Sequence, residues 1–141
     1  MATTGYSGTP LPTKLGLKEG ETLVLVNAPE GIEKFLIPLP AASKLSARPA
    51  ASNKLVLLFC QDAATLKKAL PAVAKKLHAD GSLWISWPKK TSTLFVDLTE
   101  DGIRAIALPT GLVDVKVCAV NDDWSGLKLM VRKEQRERWN S

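Results

Sequence analysis

The segment NKLVLLFC, at residues 53–60, constrains the fold of this chain more than any other feature. After Asn53 and Lys54 it is uninterrupted apolar sequence, so a strand here presents apolar side chains on both of its faces. Such strands are typical of parallel sheets that helices cover on both sides. The run is also much shorter than the roughly 20 residues that span a bilayer. The segment therefore predicts an α/β protein, and we expect no association with a membrane.

A helix is predicted directly after this strand. Apolar residues recur at helical spacing with lysines on the opposite face, at Leu66, Leu70, Val73 and Leu77. Gln61 or Asp62 can cap the first turn. Pro71 lies inside the pattern and predicts a kink, or a second helical piece that begins there. The sequence HADG predicts that the helix stops at Gly81.

Other strands and a further helix are predicted on both sides of this unit. The apolar runs at 21–29 and 82–87 predict buried strands. The segment at 44–50 contains a proline and predicts an edge strand. EDGIRAIALP predicts a helix that Asp97 or Thr99 caps.

The order of these elements predicts the topology. The closing segments VDVKVCAV and SGLKLMVRK, joined by the turn-rich NDDWSG, predict an antiparallel hairpin. The alternation before them predicts a three-layer Rossmann-like α/β domain with a mostly parallel sheet. By topology this resembles a reduced class I methyltransferase-type fold. We expect an extended N-terminal arm at 1–20, one domain at 21–133 and a charged C-terminal tail at 134–141.

Charge and cysteine content limit the classes of partner and compartment. A net charge of +5 could indicate nucleic-acid binding, but the basic residues are dispersed and no basic stretch is interleaved with aromatic residues. We therefore do not expect a nucleic-acid partner. The two cysteines, Cys60 and Cys118, both lie in apolar strand-like contexts. Free thiols of this kind, with no apolar leader at the N-terminus, predict a cytoplasmic protein.

The residues that usually hold a nucleotide cofactor are missing from their expected positions. Dinucleotide and S-adenosylmethionine sites have several glycines after the first strand, whereas VNAPEGIEKF contains only Gly31. The next predicted strand ends without an acidic residue to bind a ribose. One histidine and two separated cysteines also form no transition-metal set. We therefore expect neither a cofactor nor a metal.

Candidate ligand-binding residues follow the predicted strands, because ligands of open α/β sheets bind outside the carboxyl ends of the strands. These candidates are Asn27, Pro29, Trp87, Lys89, Lys90, Asp97 and Trp124. Trp84 and Trp87 are three residues apart, so alternation places them on opposite faces of their strand. We therefore expect Trp84 in the core, and Trp87 with its following lysines at the functional edge.

Cys60 is the one candidate nucleophile at a strand end. A position just before a helix N-terminus lowers the pKa of a thiol. However, the only histidine, His78, lies beyond the following helix, and a helix of about fifteen residues is about 20 Å long. His78 is therefore too distant to act as a base, and a buried small hydrophobic residue is the favoured interpretation of Cys60.

Several segments together resemble a bacterial family catalogued as domain of unknown function 3052. They are GYSGTPLPTKLGLKEG, NAPEG, DGSLWISWPKK, DLTEDGIRAIAL and TGLVDVKVCAVNDDWSGLKLMVRK. The combination is specific, although no single segment is, and QRERWNS falls outside it. The resemblance implies a small stand-alone cytoplasmic bacterial protein and carries over no catalytic residues.

Two functional hypotheses remain open. The first is a non-enzymatic module on a Rossmann-like scaffold, which binds a small ligand or a protein partner and could form a homodimer. The alternative is a divergent methyltransferase-like or nucleotide-handling enzyme that uses the edge at 87–90. The missing nucleotide glycines, metal ligands and general base favour the first.

Overall fold

Six strands form one mixed sheet in the computed structural model, which describes residues 9–139. The strands are β1 (Thr22–Val26), β2 (Lys44–Ser46), β3 (Asn53–Phe59), β4 (Leu77–Pro88), β5 (Leu112–Ala119) and β6 (Trp124–Val131). Their order in the sheet is β2-β1-β3-β4-β6-β5. The first four of these are parallel, whereas β6 is antiparallel to both β4 and β5. The predicted parallel sheet with a closing hairpin is confirmed.

Among the described residues, three α-helices accompany the sheet: α1 (Leu11–Leu15), α2 (Ala63–Lys75) and α3 (Glu100–Ala107). Short 3-10 helices lie at Ile32–Phe35, Leu108–Thr110 and Lys133–Arg138. The Asp62 side chain caps α2 by accepting a hydrogen bond from the backbone N–H of Thr65 at 2.8 Å. The Thr99 hydroxyl caps α3 in the same way, by accepting a hydrogen bond from the backbone N–H of Gly102 at 3.0 Å. No helix within the described residues is long and apolar enough to cross a membrane.

The end of α2 differs from the prediction. The helix passes through Pro71 as one element and ends at Lys75, and β4 begins at Leu77. The predicted glycine stop at Gly81 is therefore wrong, because Gly81 lies inside β4. A Cβ atom at Gly81 would lie 3.0 Å from the backbone oxygen of Asn53, so this glycine permits a close approach of β3 to β4.

Helices α2 and α3 cover one face of the sheet, which we call the front face. The back face is covered by α1 and by the 3-10 helix at Ile32–Phe35. Each face has its own apolar core, and the strands contribute alternate residues to the two. Trp87 packs in the front core and Trp84 in the back core, as the alternation predicted. These are the three layers of the predicted fold class.

Residues near both chain ends pack against the sheet. Residues 11–15, which we expected in an extended arm, form α1 instead, and its Leu15 is fully buried. The Trp84 indole donates a hydrogen bond to the Leu15 carbonyl at 2.8 Å. In the predicted tail, the Trp139 indole donates to the Leu77 carbonyl at 2.9 Å. The predicted arm and tail also include residues 1–8 and 140–141, which lie outside the described residues.

Candidate ligand site at the carboxyl ends of the strands

The loops that carry the predicted site residues meet at one edge of the sheet. In the parallel ladders Val26 of β1 pairs with Leu58 of β3, and Phe59 of β3 pairs with Ser86 of β4. In the antiparallel ladder the last residue of β4, Pro88, pairs with the first residue of β6. The loops after β1, β3 and β4 and the β5–β6 connector are therefore neighbours.

A cavity of about 420 Å³ lies between the end of β4 and the start of α3. We call it the polar cavity, and its lining residues are Trp87, Lys89, Lys90, Thr99, Glu100, Asp101 and Ser125. Trp87, Lys89 and Lys90 are among the predicted candidates. Ser125 joins them because β6 pairs it with Trp87. Thr99 is the predicted cap of α3, and Glu100 and Asp101 lie in the first turn of that helix.

The two walls of the polar cavity carry opposite charge. Neither Lys89 nor Lys90 forms an ion pair within residues 9–139. On the α3 wall, Glu100 and Asp101 both pair with Arg104, which also pairs with Asp114 of β5. The two carboxylates that line this wall share one guanidinium, so the wall keeps an excess of negative charge. The cavity therefore faces two ammonium groups toward a net acidic wall.

Hydrogen bonds hold the lysine wall in place. The backbone N–H of Lys89 donates to the Asp123 carbonyl at 2.8 Å. The Ser92 hydroxyl donates to the Asp123 carboxylate at 2.9 Å, and in turn accepts from the N–H of Leu94 at 3.0 Å. The segment that follows β4 is thus fastened to the connector between β5 and β6.

Asp97 lies at the other end of this segment and caps α2. Its carboxylate accepts a hydrogen bond from the N–H of Ala63 at 2.9 Å. The Gln61 side chain also donates to the Leu94 carbonyl at 3.1 Å. Since Asp62 caps the same helix, two carboxylates occupy the start of α2. Asp97 does not line the polar cavity.

Trp124 is part of the back core. Its ring packs edge-on against Phe59, with centroids 5.2 Å apart and an interplanar angle of 84°. Its backbone N–H donates to the side chain of Asn121 at 2.9 Å. The side chain is buried, so the structure gives Trp124 a packing role and does not place it in the polar cavity.

Asn27 and Pro29 lie apart from the polar cavity, after β1. Asn27 has a left-handed backbone, with a φ of 57°, and lines a second cavity on the front face. The carbonyl of Pro29 accepts a hydrogen bond from Ile32 at 3.2 Å, in the turn that starts the 3-10 helix. The seven candidates therefore do not converge on one pocket.

Cys60 lies directly after β3 and is fully buried. Burial, with a smaller contribution from the charge of Asp62, raises the pKa of Cys60 to about 12. Burial and a raised pKa both favour the interpretation of Cys60 as a small buried hydrophobic residue, and a reactive thiol at this position stays a prediction. Burial also raises the pKa of Cys118. Within residues 9–139, no group of three histidine, cysteine or acidic side chains is arranged to hold a metal ion.

The fold is that of class I methyltransferases. A SAM dependent methyltransferase from Aquifex aeolicus is similar over 85% of this chain and 87% of its own, at 14% identity and a TM-score of 0.59. The ribosomal protein L11 methylase from Lactobacillus delbrueckii subsp. bulgaricus is similar over 85% and 74%, at 14% identity and a TM-score of 0.55. At such low identity these likenesses show the fold alone.

The sequence assigns the protein to a family, which the similarity in fold does not do. The model of the family described as protein of unknown function (DUF3052) matches residues 48–133. Because this match covers more than half of the chain, the protein belongs to that family, as the sequence resemblance indicated. A comparison with curated proteins gave no match.

Proposed function

We propose that the protein is a non-enzymatic binding module, and that a small ligand occupies the polar cavity. The observation that carries the proposal is the opposition of charge across this cavity, with Lys89 and Lys90 on one wall and Glu100 and Asp101 on the other. Such a site complements a zwitterionic ligand, which has an anionic group for the lysines and a cationic group for the carboxylates.

The surroundings of the polar cavity suit binding better than catalysis. The Trp87 ring, which is only 6% exposed, provides a rigid apolar floor. The carboxylates of Glu100 and Asp101 both form ion pairs with Arg104, which holds them on this wall. Cys60, directly after β3, is buried, and burial raises the pKa of its thiol to about 12. These features support recognition of a charged ligand without a chemical step.

The ion pairs in this site would each be weak. Lys90 is exposed and Lys89 is partly exposed, and exposed ion pairs contribute about 0.2–1 kcal/mol each. The expected affinity is therefore modest and should fall with added salt, because solvated charges are screened over about 10 Å at 0.1 M ionic strength. Such a dependence on salt would separate charge-based recognition from simple apolar binding.

A divergent methyltransferase-like enzyme is the second candidate. The similarity in fold to SAM dependent methyltransferases over most of the chain favours it. Such an enzyme would bind S-adenosylmethionine in the crevice between β1 and β3, where the strand order reverses. The loop there, Asn27–Gly31, has only one glycine to let the backbone approach a ligand.

A thermal-shift screen tests both candidates. The panel is the free amino acids, S-adenosylmethionine, S-adenosylhomocysteine, nucleotides and acyl-coenzyme A. A ligand that binds only the native state must raise the melting temperature. The double variant Lys89→Gln/Lys90→Gln should lose the shift of a zwitterionic ligand. The matched control Lys67→Gln/Lys68→Gln, on the exposed side of α2, should keep it.

The pattern of shifts separates the candidates. A shift by an amino acid or another zwitterion that depends on Lys89 and Lys90 supports the binding module. A shift by S-adenosylmethionine that is unchanged in the double variant favours the methyltransferase-like alternative. A panel in which no zwitterion changes the melting temperature contradicts the proposed function.

A further inference from the structure

The front face of the sheet is covered unevenly. The connections from β3 to β4 and from β4 to β5 contain α2 and α3, whereas the connection from β2 to β3 consists only of residues 47–52. Parallel sheets are normally covered by helices on both faces. Where this short connection passes beside α2, a cavity of about 220 Å³ remains, here called the apolar groove.

The walls of the apolar groove come from four parts of the chain: β1, β3, α2 and the connection at 47–52. Its lining residues are Val26, Asn27, Pro49, Asn53, Val56, Ala69, Ala72, Val73 and Lys76. Valines of β1 and β3 form the floor, the alanines of α2 form one side, and Pro49 forms the other. Small side chains on α2 leave space next to the helix. The groove therefore has an apolar interior and few polar groups.

Asn53 fixes the shape of the groove at one end. Its side-chain oxygen accepts from the N–H of Ala50 at 2.8 Å. Its side-chain nitrogen donates to the carbonyls of Ala50 at 3.1 Å and Lys76 at 3.0 Å. These bonds tie the short connection to the end of α2, so the groove is formed before any ligand binds.

Lys76 is the one charged residue among those that line the groove. Within residues 9–139 its ammonium group makes no ion pair, whereas its backbone carbonyl accepts a hydrogen bond from the Asn53 side chain. The groove thus ends in a positive charge beside an apolar interior. No carboxylate from the described part of the chain lines it, in contrast to the polar cavity.

We propose that the apolar groove binds a small amphiphilic monocarboxylate, with its hydrocarbon part on the valines and its carboxylate at Lys76. A cavity of about 150 Å³ lined by apolar side chains is enough to bind benzene. The volume of 220 Å³ therefore accommodates one ring or a chain of about six carbons, with part of the carboxylate outside. This site is separate from the polar cavity and does not depend on the function proposed for that cavity.

Titrations monitored by NMR test this proposal with four compounds. Hexanoate and benzoate carry the carboxylate, and hexanol and benzyl alcohol are their neutral counterparts. Binding in the groove should shift the methyl resonances of Val56 and Val73. Hexanoate should bind about two- to fivefold more tightly than hexanol, since its charge pairs with an exposed lysine.

Three variants locate the site. Lys76→Gln should remove the preference for the acid over the alcohol, whereas Lys75→Gln, an exposed neighbour that does not line the groove, should retain it. Ala72→Phe should fill the groove and abolish binding of all four compounds. Ala72 is exposed, and the amide spectrum of this variant will show whether its fold is intact.

Two outcomes would overturn the proposal. One is a failure of the acids to shift Val56 and Val73. The other is equal binding of hexanoate by the wild-type protein, Lys76→Gln and a folded Ala72→Phe variant. Neither outcome bears on the polar cavity, because none of the variant positions lines it.

Discussion

The polar cavity and the apolar groove lie on the same protein but differ in how they are built. The polar cavity is formed where a long segment, residues 89–99, follows β4 and brings charged side chains to α3. The apolar groove is formed where a short connection, residues 47–52, leaves part of the sheet without a helix. One cavity results from an added loop and the other from a missing helix.

Around the polar cavity, the residues that maintain the structure differ from the residues that could bind a ligand. Around the polar cavity, Trp87 and Asp97 are tied into the core and into the start of α2. Lys89 and Lys90 carry charge that no described residue neutralises. Variants of the first pair should change stability, and variants of the second pair should change binding.

The largest expected effect is on the floor of the polar cavity. Trp87→Ala should lower the free energy of unfolding by about 3–5 kcal/mol, because it removes a buried aromatic side chain from the front core. Urea denaturation measures this loss. Trp87→Phe should lose clearly less, since it keeps an aromatic ring in place. A loss below about 1 kcal/mol for the alanine variant would show that Trp87 is not packed as described.

A smaller effect is expected at the start of α2. Asp97→Ala should cost about 0.5–2 kcal/mol, because the N–H of Ala63 then loses its acceptor. The matched control is Asp80→Ala, an exposed aspartate, which should stay within about 0.5 kcal/mol of the wild type. Equal stability of the two variants would mean that Asp97 is free to serve a ligand.

A dependence on alkaline pH is expected from Cys60. Its pKa is about 12 in the folded protein and near 9.0 in the unfolded chain. The folded state therefore holds the thiol proton more tightly, so this group makes stability fall as pH rises from about 9 to 12. Comparing wild type with Cys60→Ala by urea denaturation across this range isolates the effect. A stability difference between the two that does not vary with pH would contradict the buried-thiol assignment.

The fold was predictable where local sequence signals agree with the tertiary environment. The segment at 53–60 is apolar on both faces and became a central strand, and Asp62 and Thr99 became the caps of α2 and α3. Gly81 shows where this fails. Its local pattern is that of a helix stop, but its role is set by the backbone of Asn53, which is distant in sequence.

The site was less predictable than the fold, because it depends on contacts across the sheet. The sequence did predict that the end of β4 and the lysines after it lie at the ligand-binding edge. Three of the predicted residues, Trp87, Lys89 and Lys90, line the polar cavity. The acidic wall could not be predicted from the sequence, because acidic residues such as Glu100 and Asp101 are common in the first turn of a helix. Trp124 is buried by residues distant in sequence, among them Phe59, so its place in the core could not be predicted locally.

The measurement that tests the central claim most directly is an NMR titration that follows the indole N–H of Trp87. Amino acids, S-adenosylmethionine and S-adenosylhomocysteine are the probes, and Trp87→Phe assigns the resonance. We expect at least one zwitterion to shift Trp87 and the amides of Lys89 and Lys90, and to lose this effect in Lys89→Gln/Lys90→Gln. If no probe shifts these resonances, or the double variant responds as the wild type does, the polar cavity is not a ligand site.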